Sequence, residues 1–77
     1  MNIMLNNPVL YVVDYPNVDA VEVIDKRRGV GMLFRDEAAR RFRQELRELS
    51  ASATAMDDFE NWIADYDTLM TQPAIYH

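Results

Sequence analysis

The sequence has no cysteine, and its single histidine, His77, is the last of its 77 residues. These absences exclude disulfide bonds, thiolate metal sites and a zinc site built from several histidines of one chain. They also exclude a catalytic pair of a serine or cysteine with a histidine in the core. Only two glycines are present, Gly29 and Gly31, which is too few for a glycine-rich phosphate loop. The sequence therefore predicts no enzyme activity, no bound metal and no cofactor.

Long apolar segments are also missing. No apolar run approaches the roughly 18 residues that a membrane-spanning helix needs. The first residues, MNIMLNNPVLYVVDY, lack the basic residues and the small-residue cleavage site of a secretory signal. Apolar residues nevertheless make up 49% of the chain, which is enough for a folded core. We expect one cytoplasmic domain that spans residues 1–77.

Three segments of the first half are rich in β-branched and aromatic residues, as is typical of strands. They are VLYVVDY at 9–15, AVEVIDK at 20–26 and VGMLF at 30–34. The segments between them, PNVD and RRG, have the composition of turns, and Gly29 can adopt the positive φ of a short hairpin loop. The pattern predicts a three-stranded antiparallel meander. The segment NIML, residues 2–5, is a candidate for one more short strand.

The second half predicts two amphipathic helices, because apolar residues recur there at helical spacing. The first covers residues 37–50 with Asp36 as N-cap; the second begins near Thr54, its candidate N-cap, and ends before Pro73. The buried positions are Ala39, Phe42, Leu46 and Leu49 in the first helix and Phe59, Ile63, Tyr66 and Met70 in the second. The predicted fold is therefore α+β in the order βββαα, with both helices on one face of the sheet. Residues 71–77 are predicted to form an extended tail.

Charge is distributed unevenly along the chain, whose net charge is -5. Residues 1–25 carry four acidic residues, residues 26–49 carry all eight basic residues with four acidic ones, and residues 50–77 carry five acidic residues. Within the basic segment, Arg41 lies four residues from both Glu37 and Glu45. Such spacing on a helix predicts local ion pairs.

Three other arginines of this helix form an arginine strip, which consists of Arg40, Arg43 and Arg47. They lie on the opposite flank, away from most acidic residues of their own helix, so they need a partner elsewhere. One candidate partner is nucleic acid, bound through phosphate contacts by the basic segment 26–47. The other is the protein's own carboxylates, for which we expect Asp57, Glu60 or Asp67, in the same or a neighbouring chain. The negative net charge repels a polyanion and favours the second candidate.

The first strand is apolar on both faces, although two helices can cover only one face of a sheet. The uncovered side, which carries either Leu10, Val12 and Ile24 or Tyr11, Val13 and Val23, is predicted to be an exposed apolar patch. Burial of this patch in a homodimer is the simplest outcome. The sequence therefore predicts a self-associating interaction domain, with a nucleic-acid-associated regulator as the alternative. The candidate surface residues are Arg40, Arg43, Arg47, Arg27, Arg28, Trp62, Tyr11 and Val13.

Three motifs resemble those of a family of short bacterial proteins classed as a domain of unknown function. They are a VV[DE][FY] strand, here VVDY, an EVIDK strand at 22–26 and a YDxLMTQP ending at 66–73 that closes on histidine. The resemblance covers nearly the whole chain, and the ending is its most specific part. The chain departs from the pattern at the hairpin, where RRGVGM replaces a longer polar turn. The resemblance implies no activity, cofactor or catalytic residue.

Overall fold

The computed structural model describes residues 2–52, 55–66, 69–70 and 72–73. Five strands and two helices are present in this part of the chain, together with a short 3-10 turn at Pro16–Val18. In chain order they are β1 (Asn2–Asn6), β2 (Leu10–Tyr15), β3 (Ala20–Asp25), β4 (Val30–Arg35), α1 (Asp36–Ser52), α2 (Met56–Ala64) and β5 (Gln72–Pro73). The predicted α+β class, in which a meander precedes two helices, is confirmed.

All five strands form one antiparallel sheet, and their order in space is their order in the sequence. The three predicted strands are β2, β3 and β4, and the candidate strand NIML is β1. The predicted strand number was too low, because β1 and β5 extend the meander at its two edges. Gln72 and Pro73 pair with Gly31 and Val30. Two residues are too few to give a strand signal, so the sequence predicts them as part of the extended tail.

Side chains and backbone conformation at specific residues fix the turns. Asn7 accepts hydrogen bonds from the N–H groups of Val9 and Leu10 through its Oδ1 atom, both at 2.8 Å, and so shapes the β1–β2 turn. Gly29 has a φ of 66° in the β3–β4 turn, as predicted. Its N–H donates to the carbonyl oxygen of Asp25 at 2.9 Å. These local interactions fix the β1–β2 and β3–β4 turns.

The first helix is confirmed and the second is shorter than predicted. Helix α1 begins at Asp36, which has a φ of 55° and donates its N–H to the carbonyl oxygen of Asp19 at 2.9 Å. Helix α2 ends at Ala64. The N–H of Tyr66 bonds to the carbonyl oxygen three residues earlier, at 2.9 Å, and this tighter turn ends the α-helical ladder. The predicted N-cap, Thr54, lies outside the described residues.

The core lies between the helices and one face of the sheet. It combines buried residues of β2, β3 and β4 with those of both helices: Leu10, Val12, Val21, Val23, Phe34, Ala39, Phe42, Leu46, Phe59 and Ile63. Met70 also belongs to it, although α2 does not extend that far. A second cluster lies on the other face and contains Tyr11, Val13 and Ile24, with Tyr15 packed against them. In the described part of the chain, this second cluster consists of strand residues only.

The register of β2 and β3 corrects the predicted composition of the two faces. Tyr11 lies opposite Ile24, and Val12 lies opposite Val23. The connection between the strands contains four residues, 16–19, so odd positions of one strand face even positions of the other. Neither predicted set is therefore right, since Val23 belongs to the helix side and Ile24 to the other. We refer to the side with Tyr11, Val13 and Ile24 as the second face.

Substitution of Gly31 by alanine should destabilise the fold. A Cβ atom at this position would lie 2.8 Å from the carbonyl oxygen of Val23, which belongs to a paired strand and cannot easily move. We expect Gly31→Ala to lower the free energy of unfolding by about 1–3 kcal/mol, the usual cost of overpacking, as measured by urea denaturation. The matched control is Gly29→Asn, because no atom lies within 4 Å of the Cβ position and asparagine tolerates a positive φ. Equal losses in the two variants would contradict this steric explanation.

Candidate interaction surface

Arg43 of the arginine strip joins α1 to the sheet. Its Nε atom donates to Oδ1 of Asp14 at 2.9 Å, and its Nη1 atom donates to Oδ1 of Asp19 at 2.7 Å. The same guanidinium group donates to the carbonyl oxygen of Ala20 at 3.4 Å. Only 12% of the Arg43 side chain is exposed, so its charge is compensated within the fold. Arg43 is therefore a structural element of the α1–sheet junction.

Arg40 joins Arg43, Asp14 and Asp19 in one ionic cluster and lies at its exposed side. Its Nη2 atom lies 2.7 Å from Oδ2 of Asp19, although 63% of the side chain is exposed. The prediction that the strip pairs with carboxylates of the protein is thus right for Arg40 and Arg43. The predicted partners were wrong, because the carboxylates come from β2 and the following turn. The described residues of the second helix, Asp57 and Glu60, make neither of these ion pairs, and Asp67 lies outside the described residues.

The ionic cluster shifts the pKa values of Asp19 and Arg43. Hydrogen bonds from Arg43, and then from Arg40, hold the pKa of Asp19 below its ordinary value despite partial burial. The hydrogen bond to Asp19 likewise raises the pKa of Arg43. Both shifts favour the charged forms, so the cluster is fully formed at neutral pH.

The remaining strip residue, Arg47, has different surroundings. It is exposed, and it forms no ion pair with the residues that the structure describes. Its position on α1 was predicted correctly, but the strip does not act as one unit. Two of its arginines are held by the sheet, and the third faces solvent.

The hairpin arginines lie at the end of β3. Arg27 donates from Nη2 to Oδ2 of Asp25 at 3.2 Å and from Nη1 to Oε2 of Glu60 at 3.5 Å. Asp25 is fully buried, and it also accepts the backbone N–H of Arg27 at 3.0 Å. Arg27 thus compensates a buried carboxylate and links the β3–β4 turn to α2. Arg28 is exposed in the same turn.

Trp62 is half-buried and packs against the protein's own core. Its ring lies 4.8 Å from that of Phe42, and its Nε1 atom donates to Oε1 of Glu45 at 3.2 Å. The same Glu45 oxygen accepts the hydroxyl group of Tyr66 at 2.7 Å, and Oε2 accepts Nε of Arg41 at 3.0 Å. Glu45 therefore connects α1 to α2 and to the turn that follows it. The predicted Arg41–Glu45 pair is confirmed.

The three hydrogen bonds to Glu45 also set the protonation state of its carboxylate. Burial raises the pKa of Glu45, but the bonds from Tyr66, Trp62 and Arg41 outweigh it and hold that pKa below its ordinary value. Burial and the Glu45 carboxylate together raise the pKa of Tyr66 well above its ordinary value. Glu45 is thus ionised and Tyr66 is protonated across the physiological range. Neither group is poised to exchange a proton at neutral pH.

An open groove of about 890 Å³ lies beside this cluster. Phe34, Ala38 and Leu69 provide apolar lining, and the charged lining includes Arg40 and Arg41. Both guanidinium groups are engaged with carboxylates, as described above. Among the residues that the structure describes, no group of histidine, cysteine or acidic side chains could hold a metal ion. The groove therefore offers no assembled catalytic or metal-binding constellation in the described part of the chain.

Tyr11 and Val13, the predicted apolar surface residues, are buried within the chain. Their exposed fractions are 9% and 1%. The expectation of a large exposed patch centred on them was therefore wrong. The exposed apolar residues of the second face lie at its margins. They are Ile3, which pairs with Val13 and is 56% exposed, and Leu33, which pairs with Glu22 and is 41% exposed.

The sequence did not draw attention to β1 as a surface feature. It lies at one edge of the sheet, so only its β2 side is paired in the described part of the chain. All five of its residues, NIMLN, are uncharged, and none is proline. The register with β2 shifts between Ile3 and Leu5, which marks a β-bulge at Met4. Its uncharged apolar composition was the available signal, but only the strand order shows that β1 is an edge.

In the described ranges, neither helix is long and apolar enough to cross a membrane. Residues 2–77 match the family described as Protein of unknown function (DUF3567), and the chain therefore belongs to that family. It is also similar to Protein BTH_I0359 of Burkholderia thailandensis, with 28% identity over an alignment of 85 residues that covers 100% of both chains. No solved structure matches the chain. These matches confirm the resemblance to a family of short bacterial proteins.

Removal of the Arg43 charge should destabilise the α1–sheet junction. The variant Arg43→Met keeps most of the side-chain length but leaves Asp14 and Asp19 without their main donor. We expect the free energy of unfolding at pH 7 to fall by about 1–3 kcal/mol. Arg40→Met is the matched control and should cost less than about 1 kcal/mol, because that pair is exposed. Urea denaturation of the three proteins measures both effects.

The difference in the free energy of unfolding between wild type and Arg43→Met should depend on pH. The pKa of Asp19 is lower in the folded state than in the unfolded state. Its contribution to the free energy of unfolding is therefore complete above the unfolded-state pKa of about 3.9, and it disappears as the pH falls through the lower folded-state pKa. The difference between wild type and Arg43→Met should therefore be constant near neutral pH and shrink below about pH 4. A difference that stays unchanged down to the acid transition would contradict a role for the Asp19 charge.

Loss of the Tyr66 hydroxyl group should weaken the connection between the helices. Tyr66→Phe removes a 2.7 Å hydrogen bond to an ionised carboxylate, so we expect a loss of about 1.5–3 kcal/mol. The pKa of Glu45 should rise at the same time, and carboxyl chemical shifts in an NMR titration report it. Tyr15→Phe is the control, because its hydroxyl group bonds to Glu22 on the second face. An unchanged Glu45 titration in Tyr66→Phe would contradict the assigned bond.

Proposed function

We propose that this member of the DUF3567 family is a non-catalytic cytoplasmic domain that works by associating with a second copy of itself. The observation that carries the proposal is the free edge of β1. Five uncharged residues there leave one side of the backbone without a partner in the described part of the chain. Ile3 adds an apolar side chain that is more than half exposed at the same place.

Unpaired strand edges bind other strands, because their N–H and C=O groups are already arranged for a sheet. Proteins that remain monomeric commonly protect such edges with lysine, proline or inward-pointing charges. The sequence of β1 contains none of these, and the protective features beside it in the described part of the chain are the bulge at Met4 and the ammonium group of Lys26 at Asn6. An edge of this composition is consistent with an interface that forms in solution. The short strand favours a reversible equilibrium over an obligate dimer.

The absence of catalytic activity is part of the proposal and has two supports. The polar groups beside the groove neutralise each other, since Arg41 and Tyr66 both bond to Glu45. The pKa shifts of Glu45 and Tyr66 also stabilise their ordinary protonation states at neutral pH. An acid–base catalyst would need a pKa moved toward neutrality.

The nucleic-acid alternative has less support. Arg40 and Arg43 bind carboxylates of their own chain, and Arg27 binds Asp25 and Glu60. Phosphate binding by these residues would have to break those pairs. At least four of the eight basic residues of segment 26–47, namely Arg27, Arg40, Arg41 and Arg43, are thus already paired with carboxylates, which reduces the number of sequence-independent contacts on which such binding depends.

Self-association should appear as a rise in molar mass with concentration. We expect sedimentation equilibrium to give a mass near 9.0 kDa at low micromolar concentration, rising toward twice that value as the concentration increases. Ile3→Lys should abolish the rise, because a charge at the edge opposes strand addition. Val18→Lys is the matched control, since Val18 is 67% exposed but lies in the 3-10 turn. A monomer at every concentration would overturn the proposed function.

A further inference from the structure

We infer that two copies join their β1 strands antiparallel about a two-fold axis perpendicular to the sheet, so that one continuous sheet runs through both. The inference rests on the proposed function and specifies its interface. A two-fold axis places the same surface of each copy in contact, and it closes the assembly at two chains. An axis perpendicular to the sheet also reverses the strand direction. The new pair would then continue the antiparallel pattern of every other pair in the sheet.

The position of Lys26 supports the antiparallel direction. Its Nζ atom donates to Oδ1 of Asn6 at 2.5 Å, which places one ammonium group at the C-terminal end of β1. Antiparallel pairing separates the two ammonium groups by about four residue steps, or roughly 13 Å. That separation exceeds the screening length of about 8 Å at physiological salt. In-register parallel pairing would instead place the two groups side by side.

The position of Ile3 supports a two-fold axis perpendicular to the sheet. Ile3 lies on the second face beside Val13, at the open margin of the buried cluster of Tyr11, Val13 and Ile24. An axis perpendicular to the sheet makes the two second faces continuous, so Ile3 of each copy contacts the β1 strand of the other. The helical layers of both copies then lie together on the opposite side. Helix α1 lies over β3 and β4, away from the β1 edge.

A second copy is the occupant to which the inference commits. All five residues of the edge are uncharged and one exposed side chain, Ile3, is apolar, so the side chains of two such strands meet without charge repulsion although each chain carries a net charge of -5. Salt should have little effect on the association, since the remaining repulsion between the two Lys26 groups is already screened.

Single cysteines introduced into the cysteine-free chain test the geometry. The variants are Asn2→Cys, Ile3→Cys, Met4→Cys and Asn6→Cys in β1, with Leu33→Cys on β4 and Val18→Cys in the 3-10 turn as controls. Under mild oxidation, non-reducing electrophoresis measures the disulfide-linked dimer. In an antiparallel pair only residues near the two-fold axis face their own copy, with Cβ atoms about 4.5–5.5 Å apart. We therefore expect most of the chain to cross-link at one position or two neighbouring positions of β1, and little elsewhere.

Each other outcome has a defined meaning. Efficient cross-linking all along β1 would indicate parallel strands, and cross-linking at Leu33→Cys alone would indicate packing of the second faces. Either result would overturn the inference. Equal cross-linking at Val18→Cys, an exposed site outside the sheet, would indicate random collision and overturn it as well. A dimer by sedimentation without any β1 cross-link would overturn this geometry but leave the proposed function intact, whereas a monomer would overturn both.

Discussion

The guanidinium group of Arg43 holds the helical layer in its place on the sheet. It connects α1 to Asp14 on β2 and to Asp19 in the turn before β3. The carbonyl oxygen of Asp19 also accepts the N–H of Asp36, the first residue of α1. Three parts of the chain are thereby fixed at one point, and the direction in which α1 leaves β4 is determined. That direction brings Phe42 over Phe34, at a ring distance of 5.1 Å, and presents it to Trp62 and Tyr66.

Local patterns were sufficient for most of the fold. Strands β2, β3 and β4 and helix α1 were predictable because their apolar residues repeat with the period of the structure they form. Two features depend on tertiary contacts and escaped prediction. Phe59, Ile63 and Met70 of the predicted stripe are buried and Tyr66 is half-buried, but the backbone leaves the α-helix after Ala64. Strand β5 consists of two residues, and nothing but its pairing with β4 distinguishes it from a loop.

The candidate surface was less predictable than the fold. Helical spacing showed correctly that Arg40 and Arg43 need partners outside α1. It could not identify Asp14 and Asp19, because these residues approach α1 only after the β2–β3 hairpin forms. Which residues of β2 and β3 share a face depends in the same way on the number of residues in the connection between the two strands. Edge position is likewise a property of strand order, so the exposure of Ile3 could not be derived from a sequence in which β1 looked like a minor strand.

The order of the strands also has a consequence for the route by which the chain folds. Strands β1, β2 and β3 each pair with the strand that follows in the sequence after a short connection, so these contacts close short loops. Short-range contacts of this kind favour rapid folding. The pairing of β5 with β4 is the exception, since about forty residues and both helices separate Val30 from Pro73. Its loop-closure entropy is the largest in the sheet, which makes the sheet's last edge the natural final step of folding and the first place for it to open.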